Sequence, residues 1–113
     1  MLPFALSQPH INITQNVENG TTLVLVCGYN SVEYPAWRGP TSEHGNSTPY
    51  TLQGDPSFNP DMAKQLRLSW ADNRRDLILS NVSLEDAGMY ACFYLPGGGL
   101  FYFIQVVVRG MKK

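Results

Sequence analysis

The sequence is poor in the features that mark most functional classes. Only 15% of its 113 residues are charged, and the formal net charge is −1. Basic residues adjoin one another only at Arg74-Arg75 and Lys112-Lys113, so the clustered basic face of a nucleic-acid binder is missing. No apolar run approaches the roughly 20 residues of a membrane-spanning helix. No helical period of useful length appears, which argues against a coiled coil, and an apolar content of 43% argues against disorder.

Groups for catalysis are equally scarce. The two histidines, His10 and His44, stand in polar, loop-like segments. The two cysteines, Cys27 and Cys92, are an even pair that permits one bridge and leaves no thiol over as a nucleophile. Serines and acids show no nucleophile–base–orienter pattern, and no His, Cys or carboxylate cluster has metal-ligand spacing. Asp72 and Asp76, flanking Arg74-Arg75, read as a solvated turn. An enzyme is not expected, nor a cofactor, a metal, a small-molecule substrate or a nucleic-acid partner.

What is present points outside the cell. The length suits one domain with one core. Four Asn-x-Ser/Thr sequons begin at Asn12, Asn19, Asn46 and Asn81. Together with a widely spaced cysteine pair they favour the secretory route. The expected location is the cell surface, as the ectodomain of a type I membrane protein, or the secreted space. Leu2 to Leu6 is apolar but short, and residues 1–8 read as the remnant of a signal peptide or an N-terminal extension behind Met1. A membrane anchor is expected outside this chain.

The pattern along the chain is that of an all-β sandwich, with short β-rich runs between turn residues. Expected strands cover 22–27, 32–38, 50–52, 66–70, 76–79, 89–94 and 100–108. In the first, Leu23, Leu25 and Cys27 share one face. Gly, Pro, Ser, Thr and Asn dominate from Gly39 to Gln65. Residues 61–65 and 83–87 read as single helical turns, and Ser83 to Asp86 has the form of a capping box.

The most specific motif is Asp86-Ala87-Gly88-Met89-Tyr90-Ala91-Cys92, with Cys27 well upstream, Trp37 between them, and Leu77, Leu79 and Val82 just before it. In these residues the sequence resembles the immunoglobulin V-set over residues 9–109, leaving 110–113 as the start of a stalk or a tail. The resemblance implies a sandwich of two antiparallel sheets tied by a Cys27–Cys92 bridge from strand B to strand F. Trp37 then packs on the bridge from strand C, and Tyr90 forms a tyrosine corner. Asp86 is expected to pair with Arg67, or with Lys64 as the alternative. The long stretch between Trp37 and Arg67 leaves room for strands C′ and C″. Antigen receptors carry a glycine bulge after an aromatic in strand G. Here the order is Gly97-Gly98-Gly99-Leu100-Phe101-Tyr102-Phe103, without glycine after the aromatics. The sequence is therefore more similar to nectin-type and to costimulatory or inhibitory receptor tips, and to viral glycoproteins that borrow the domain.

Strand alternation separates core from surface. In the last strand Tyr102, Ile104, Val106 and Val108 are expected inward, with Phe101, Phe103, Gln105 and Val107 outward. Tyr90, Cys92 and Trp37 point in; Ala91, Phe93, Tyr34, Ala36 and Arg38 point out. The expected partner-binding set is Tyr34, Arg38, Phe93, Phe101 and Phe103, with Leu95, Pro96 and Leu100 in the FG turn. Aromatic residues and Arg anchor protein contacts, and a contiguous aromatic patch marks an interface. Asn12, Asn19 and Asn81 are expected away from this face, and Asn46 near it. The implied partner is another cell-surface protein, itself immunoglobulin-like, met in immune recognition or signalling. The alternatives are viral immune evasion, by binding a host receptor, a major histocompatibility molecule or an antibody, and homophilic adhesion through a homodimer.

Overall fold

The computed structural model describes residues 11–28, 33–40, 47–94 and 100–110, with Ile11, Ala63, Leu100 and Phe101 described by their backbone alone. The described strands are β1 (Ile11–Glu18), β2 (Leu23–Leu25), β3 (Ala36–Pro40), β4 (Ser47–Pro49), β5 (Leu68–Trp70), β6 (Leu77–Leu79), β7 (Gly88–Tyr94) and β8 (Leu100–Arg109). They form a five-stranded sheet in the order β1-β8-β7-β3-β4 and a three-stranded sheet in the order β2-β6-β5. Every pairing is antiparallel except β1 with β8.

The two sheets meet through their alternate residues. Leu23 and Leu25 of β2 and Leu77 and Leu79 of β6 point inward. Facing them are Trp37, Tyr90, Cys92, Tyr102, Ile104, Val106 and Val108 from the five-stranded sheet, all in one buried cluster. This period-two burial is what a half-buried strand requires. The Cys27–Cys92 disulfide joins the chain just beyond β2 to β7. Trp37 lies directly opposite Cys92 in the β3–β7 ladder and donates its indole N–H to the Arg75 carbonyl at 2.9 Å.

Three stretches depart from the expected pattern. β1 escapes the pattern because its centre, Thr14-Gln15-Asn16, is polar. Gln15 nevertheless faces inward and its Nε2 donates to the Val24 carbonyl at 3.1 Å, so an amide links the sheets where alternation calls for an apolar side chain. β3 begins at Ala36 rather than Val32, behind Pro35, which has no N–H to give, and Tyr34, which sits at φ 56°. β4 is Ser47–Pro49 rather than 50–52. Tyr50 and Thr51 turn into the core instead: both backbone N–H groups donate to the Trp37 carbonyl, and the Thr51 hydroxyl accepts from Trp37 N and donates to the Pro35 carbonyl. Among the described residues no further ladder strand separates β4 from β5. An isolated bridge, Leu52–Asp55, and a 3₁₀ turn, Ala63–Arg67, fill the interval.

At one end of the core lies a buried charge cluster. The Asp86 side chain is 1% exposed. It takes two hydrogen bonds from Arg67 at 3.1 Å, one from the Ser83 N–H at 2.8 Å, and an ion pair from Lys64 at 3.0 Å. The sequence offered Arg67 or Lys64 as its partner; the structure uses both. Burial pushes the Asp86 carboxyl upward, but the Arg67, Ser83 and Lys64 donors outweigh it and hold the group below the usual carboxylate range. Burial lowers Lys64 despite its anionic partner. The Tyr90 hydroxyl donates to the Asp86 carbonyl at 2.6 Å, as a tyrosine corner does. Tyr50 packs edge-on against Tyr90 and donates to the Pro40 carbonyl, and desolvation raises both phenols well above their ordinary value.

Candidate protein-binding face

The outward positions of the five-stranded sheet follow from its register. One row across the sheet is Ala36, Phe93 and Phe101; the next is Arg38, Ala91, Phe103 and Asn12; the third is Met89, Gln105 and Thr14. Phe93 and Phe103 are thus diagonal neighbours on adjacent strands, within reach of each other's rings. Both are half-buried. Met89 and Val107 continue the apolar surface at 46% and 39% exposure. Met89 is absent from the set expected from sequence, although it shares the phase of Ala91 and Phe93. Ala36 and Ala91 occupy outward positions by register, yet they are only 6% and 8% exposed.

Arg38 sits on this face and is fixed at the sheet edge. Its Nε donates to the Ser47 hydroxyl at 2.8 Å and a terminal nitrogen to the Ser47 carbonyl at 3.2 Å. The planar fork therefore has two of its donors engaged by β4, which limits its rotamers while leaving the remaining N–H groups to a partner.

Two expected placements are corrected. Tyr34 does not belong to this face. With φ at 56° it leaves the strand before β3 starts, and its ring packs edge-on against Trp70 of the other sheet at 5.1 Å. Phe58 stacks on the same indole at 5.6 Å, completing an aromatic group at the edge of the sandwich. Asn12 is expected away from the face, but β1 runs parallel to β8 and sets Asn12 opposite Phe103. The sequence maps Asn12 to the first strand; the difference arises because that strand joins the five-stranded sheet beside β8. Asn19 lies in the turn after β1 and Asn81 in the turn after β6, both exposed. Leu95, Pro96 and Asn46 lie outside the described residues, and the side chains of Leu100 and Phe101 are not among those described.

Two other surfaces compete with this one. Outward Val24 and Val26, with half-buried Ile78, line the three-stranded sheet. A cleft of about 300 Å³ opens beside β4, walled by Leu52, Phe58 and Asn59. Asp55 stands at its rim, held below the usual carboxylate range by hydrogen bonds from the Ser57 backbone and hydroxyl. Neither surface joins aromatic, Met and Arg side chains, the types enriched in protein interfaces. Among the described residues no three His, Cys, Asp or Glu side chains stand close enough to hold a metal ion, and no helix is long and apolar enough to cross a membrane.

No protein-family model and no curated protein matches the chain in sequence. Solved structures do match it in shape. One is that of the extracellular domains of the voltage-gated sodium channel beta4 subunit, whose parallel homodimers explain that protein's role in cell-cell adhesion. The TM-score is 0.65 at 20% identity, covering 89% of this chain and 93% of that one. Another is Drosophila Semaphorin 2a, at a TM-score of 0.61 and 18% identity over 91% of this chain, which spans 15% of the semaphorin's length. At such identities the likeness establishes the fold: an immunoglobulin-like sandwich of two sheets with one disulfide between them.

Proposed function

We propose that this chain is an extracellular recognition domain of the variable immunoglobulin type. It engages another cell-surface protein through the outer face of its five-stranded sheet, in immune recognition or signalling. The observation that carries the reading is the convergence of Phe93, Phe103, Met89, Val107 and Arg38 on one side of that sheet. Aromatic side chains bury large areas for little lost rotamer freedom, Arg binds in fixed fork geometry, and Met adapts to irregular surfaces, which is how a few residues come to dominate an interface. The proposed contact set also includes Phe101, with Leu95, Pro96 and Leu100 from the sequence between Tyr94 and Phe101. The variable type is supported by β4, which extends the sheet beyond β3. The disulfide and four sequons support an oxidising, extracellular setting.

A homophilic version is favoured by one finding, the parallel homodimers of the similarly folded beta4 ectodomain. Both versions are tested by presenting the labelled domain to an array of cell-surface ectodomains, with sedimentation in the same buffer. A single ectodomain hit lost in Phe93→Ala and Phe103→Ala supports the heterophilic reading. Dimerisation lost in the same variants supports the homophilic one. Binding that survives both substitutions overturns the assignment to this face.

A further inference from the structure

Asn12 is the only sequon asparagine among the described residues that stands on the candidate face. It begins Asn12-Ile13-Thr14. Its side chain is exposed and lies on the outer side of β1, because the β1–β8 register pairs Asn12 with Phe103 and Ile13 with inward-facing Ile104. Adjacent strands lie about 4.8 Å apart, so anything attached at Asn12 starts one strand spacing from Phe103. Among the described strands β1 is the last of its sheet, so a branched oligosaccharide there has the apolar surface on one side and no described strand on the other.

The other described sequons are placed differently. Asn19 follows β1 by seven residues from Asn12, about 23 Å at 3.3 Å per residue. Its backbone N–H is bonded to the carbonyl of Arg109, at the far end of β8. Asn81 sits at φ 51° between β6 and a second 3₁₀ turn, Leu84–Asp86, and its carbonyl accepts from Arg67. Both belong to the end of the sandwich that holds the Asp86 cluster rather than to the Phe93–Phe103 surface. Glycans are bulky and strongly hydrated, so position decides whether they leave a protein surface accessible.

We propose that Asn12 carries an N-linked glycan that shields the Phe103 side of the outer face, so that occupancy of this one sequon gates docking there. The proposal rests on the reading of that face as the binding surface. Its first consequence, however, does not require a partner. An apolar patch covered by an attached sugar is protected from solvent and from non-specific association without being buried in the fold. Unoccupied at Asn12, the same chain exposes the patch. Two glycoforms of one polypeptide therefore differ in the surface they present.

The test starts from the domain secreted by eukaryotic cells, with occupancy at Asn12 measured by peptide mass spectrometry. Hydroxyl-radical footprinting is then applied to the wild type, Asn12→Gln, Thr14→Ala and Asn19→Gln. The expected result is a several-fold rise in labelling of Phe103 in Asn12→Gln and Thr14→Ala, none in Asn19→Gln, and unchanged labelling of Phe58 in all. An Asn12 without glycan in the secreted protein overturns the proposal, as does Phe103 labelling that ignores occupancy. Binding to the ectodomain array and self-association, measured on the same variants, separate this inference from the reading beneath it. Stronger association in Asn12→Gln, beside the rise in footprint, supports both. A footprint that responds while all association ignores occupancy overturns the gate, and the Phe93→Ala and Phe103→Ala variants then decide whether the face binds at all.

Discussion

Among single residues, Asp86 shows how a buried charge is tolerated and how its partners set its response to mutation and pH. A carboxylate that is 1% exposed carries a large desolvation cost, and here Arg67, Lys64 and the Ser83 N–H together offset it. Removing the charge leaves Lys64, itself 8% exposed, without its anion. Asp86→Asn is therefore expected to destabilise the domain by about 3–5 kcal/mol, the usual result of breaking one side of a buried pair. Chemical denaturation measures it. The same group predicts a pH dependence. Its folded pKa lies below the unfolded value of about 3.9, so as pH falls the unfolded chain takes up the proton first. The contribution is complete above the unfolded pKa and is lost as pH drops through the lower, folded one. The stability gap between wild type and Asp86→Asn is expected to be flat from pH 7 to about pH 5 and to shrink below about pH 4. A gap that holds constant down to about pH 2 would mean that Asp86 is not the ionised partner.

Among the strands, β3 divides the two roles of the five-stranded sheet. Trp37 faces the core opposite Cys92, and Arg38 faces out beside Ala91. Gly39 is the point of closest approach within β3. A Cβ there would lie 2.7 Å from a ring carbon of Tyr50 and 2.7 Å from one of Tyr90. Both rings are tied by hydroxyl hydrogen bonds, to Pro40 and Asp86, and neither can retreat without losing one. Gly39→Ala is expected to cost about 1–3 kcal/mol or more as an overpacking change, read as a fall in the denaturation midpoint. Trp37→Ala is expected to cost about 3–5 kcal/mol, and Phe103→Ala, half-buried on the outer face, far less. Equal losses in those two variants would show that the faces are assigned wrongly.

The same strands show what was legible in the sequence. Inward and outward phases of β7 and β8 can be read because their apolar residues alternate around Tyr90, Cys92, Ile104 and Val106. The resemblance carried by the Asp86 motif implies a cationic partner, and the structure shows the burial that makes one necessary. β1 cannot be read because Gln15 fills an inward position through a hydrogen bond, which hydrophobic patterning does not register. Asn12 maps to this first strand, and hydrophobic patterning alone does not show that the strand pairs with β8 on the outer-face sheet. Tyr34 is misplaced because counting back from Trp37 assumes extended backbone, and a positive φ two residues before Ala36 breaks the count. Tyr50 and Thr51 look like a strand by propensity but satisfy the Trp37 backbone from inside the core.

Taken as one body, the sandwich is held by a single core and a single covalent tie. The Cys27–Cys92 bridge closes a loop with a sequence separation of 65. In the chain-entropy model that restricts the unfolded state by about 4 kcal/mol. Domains of this size have only about 5–15 kcal/mol in total, so the bridge supplies a large share of the margin. Reduction is expected to lower Tm by about 15 °C or more, at several degrees per kcal/mol, measured by calorimetry with and without reductant. The consequence reaches the outer face, because Phe93 follows Cys92 on β7 and its neighbours come from β3 and β8. The Phe93–Phe103 surface exists only while those strands remain in register. Binding should therefore be lost at the temperature where the reduced domain melts, and not below it. If reduction abolished binding while the domain was still folded, the bridge would be shaping the face directly, and Cys92 would have to be counted among the residues that position Phe93.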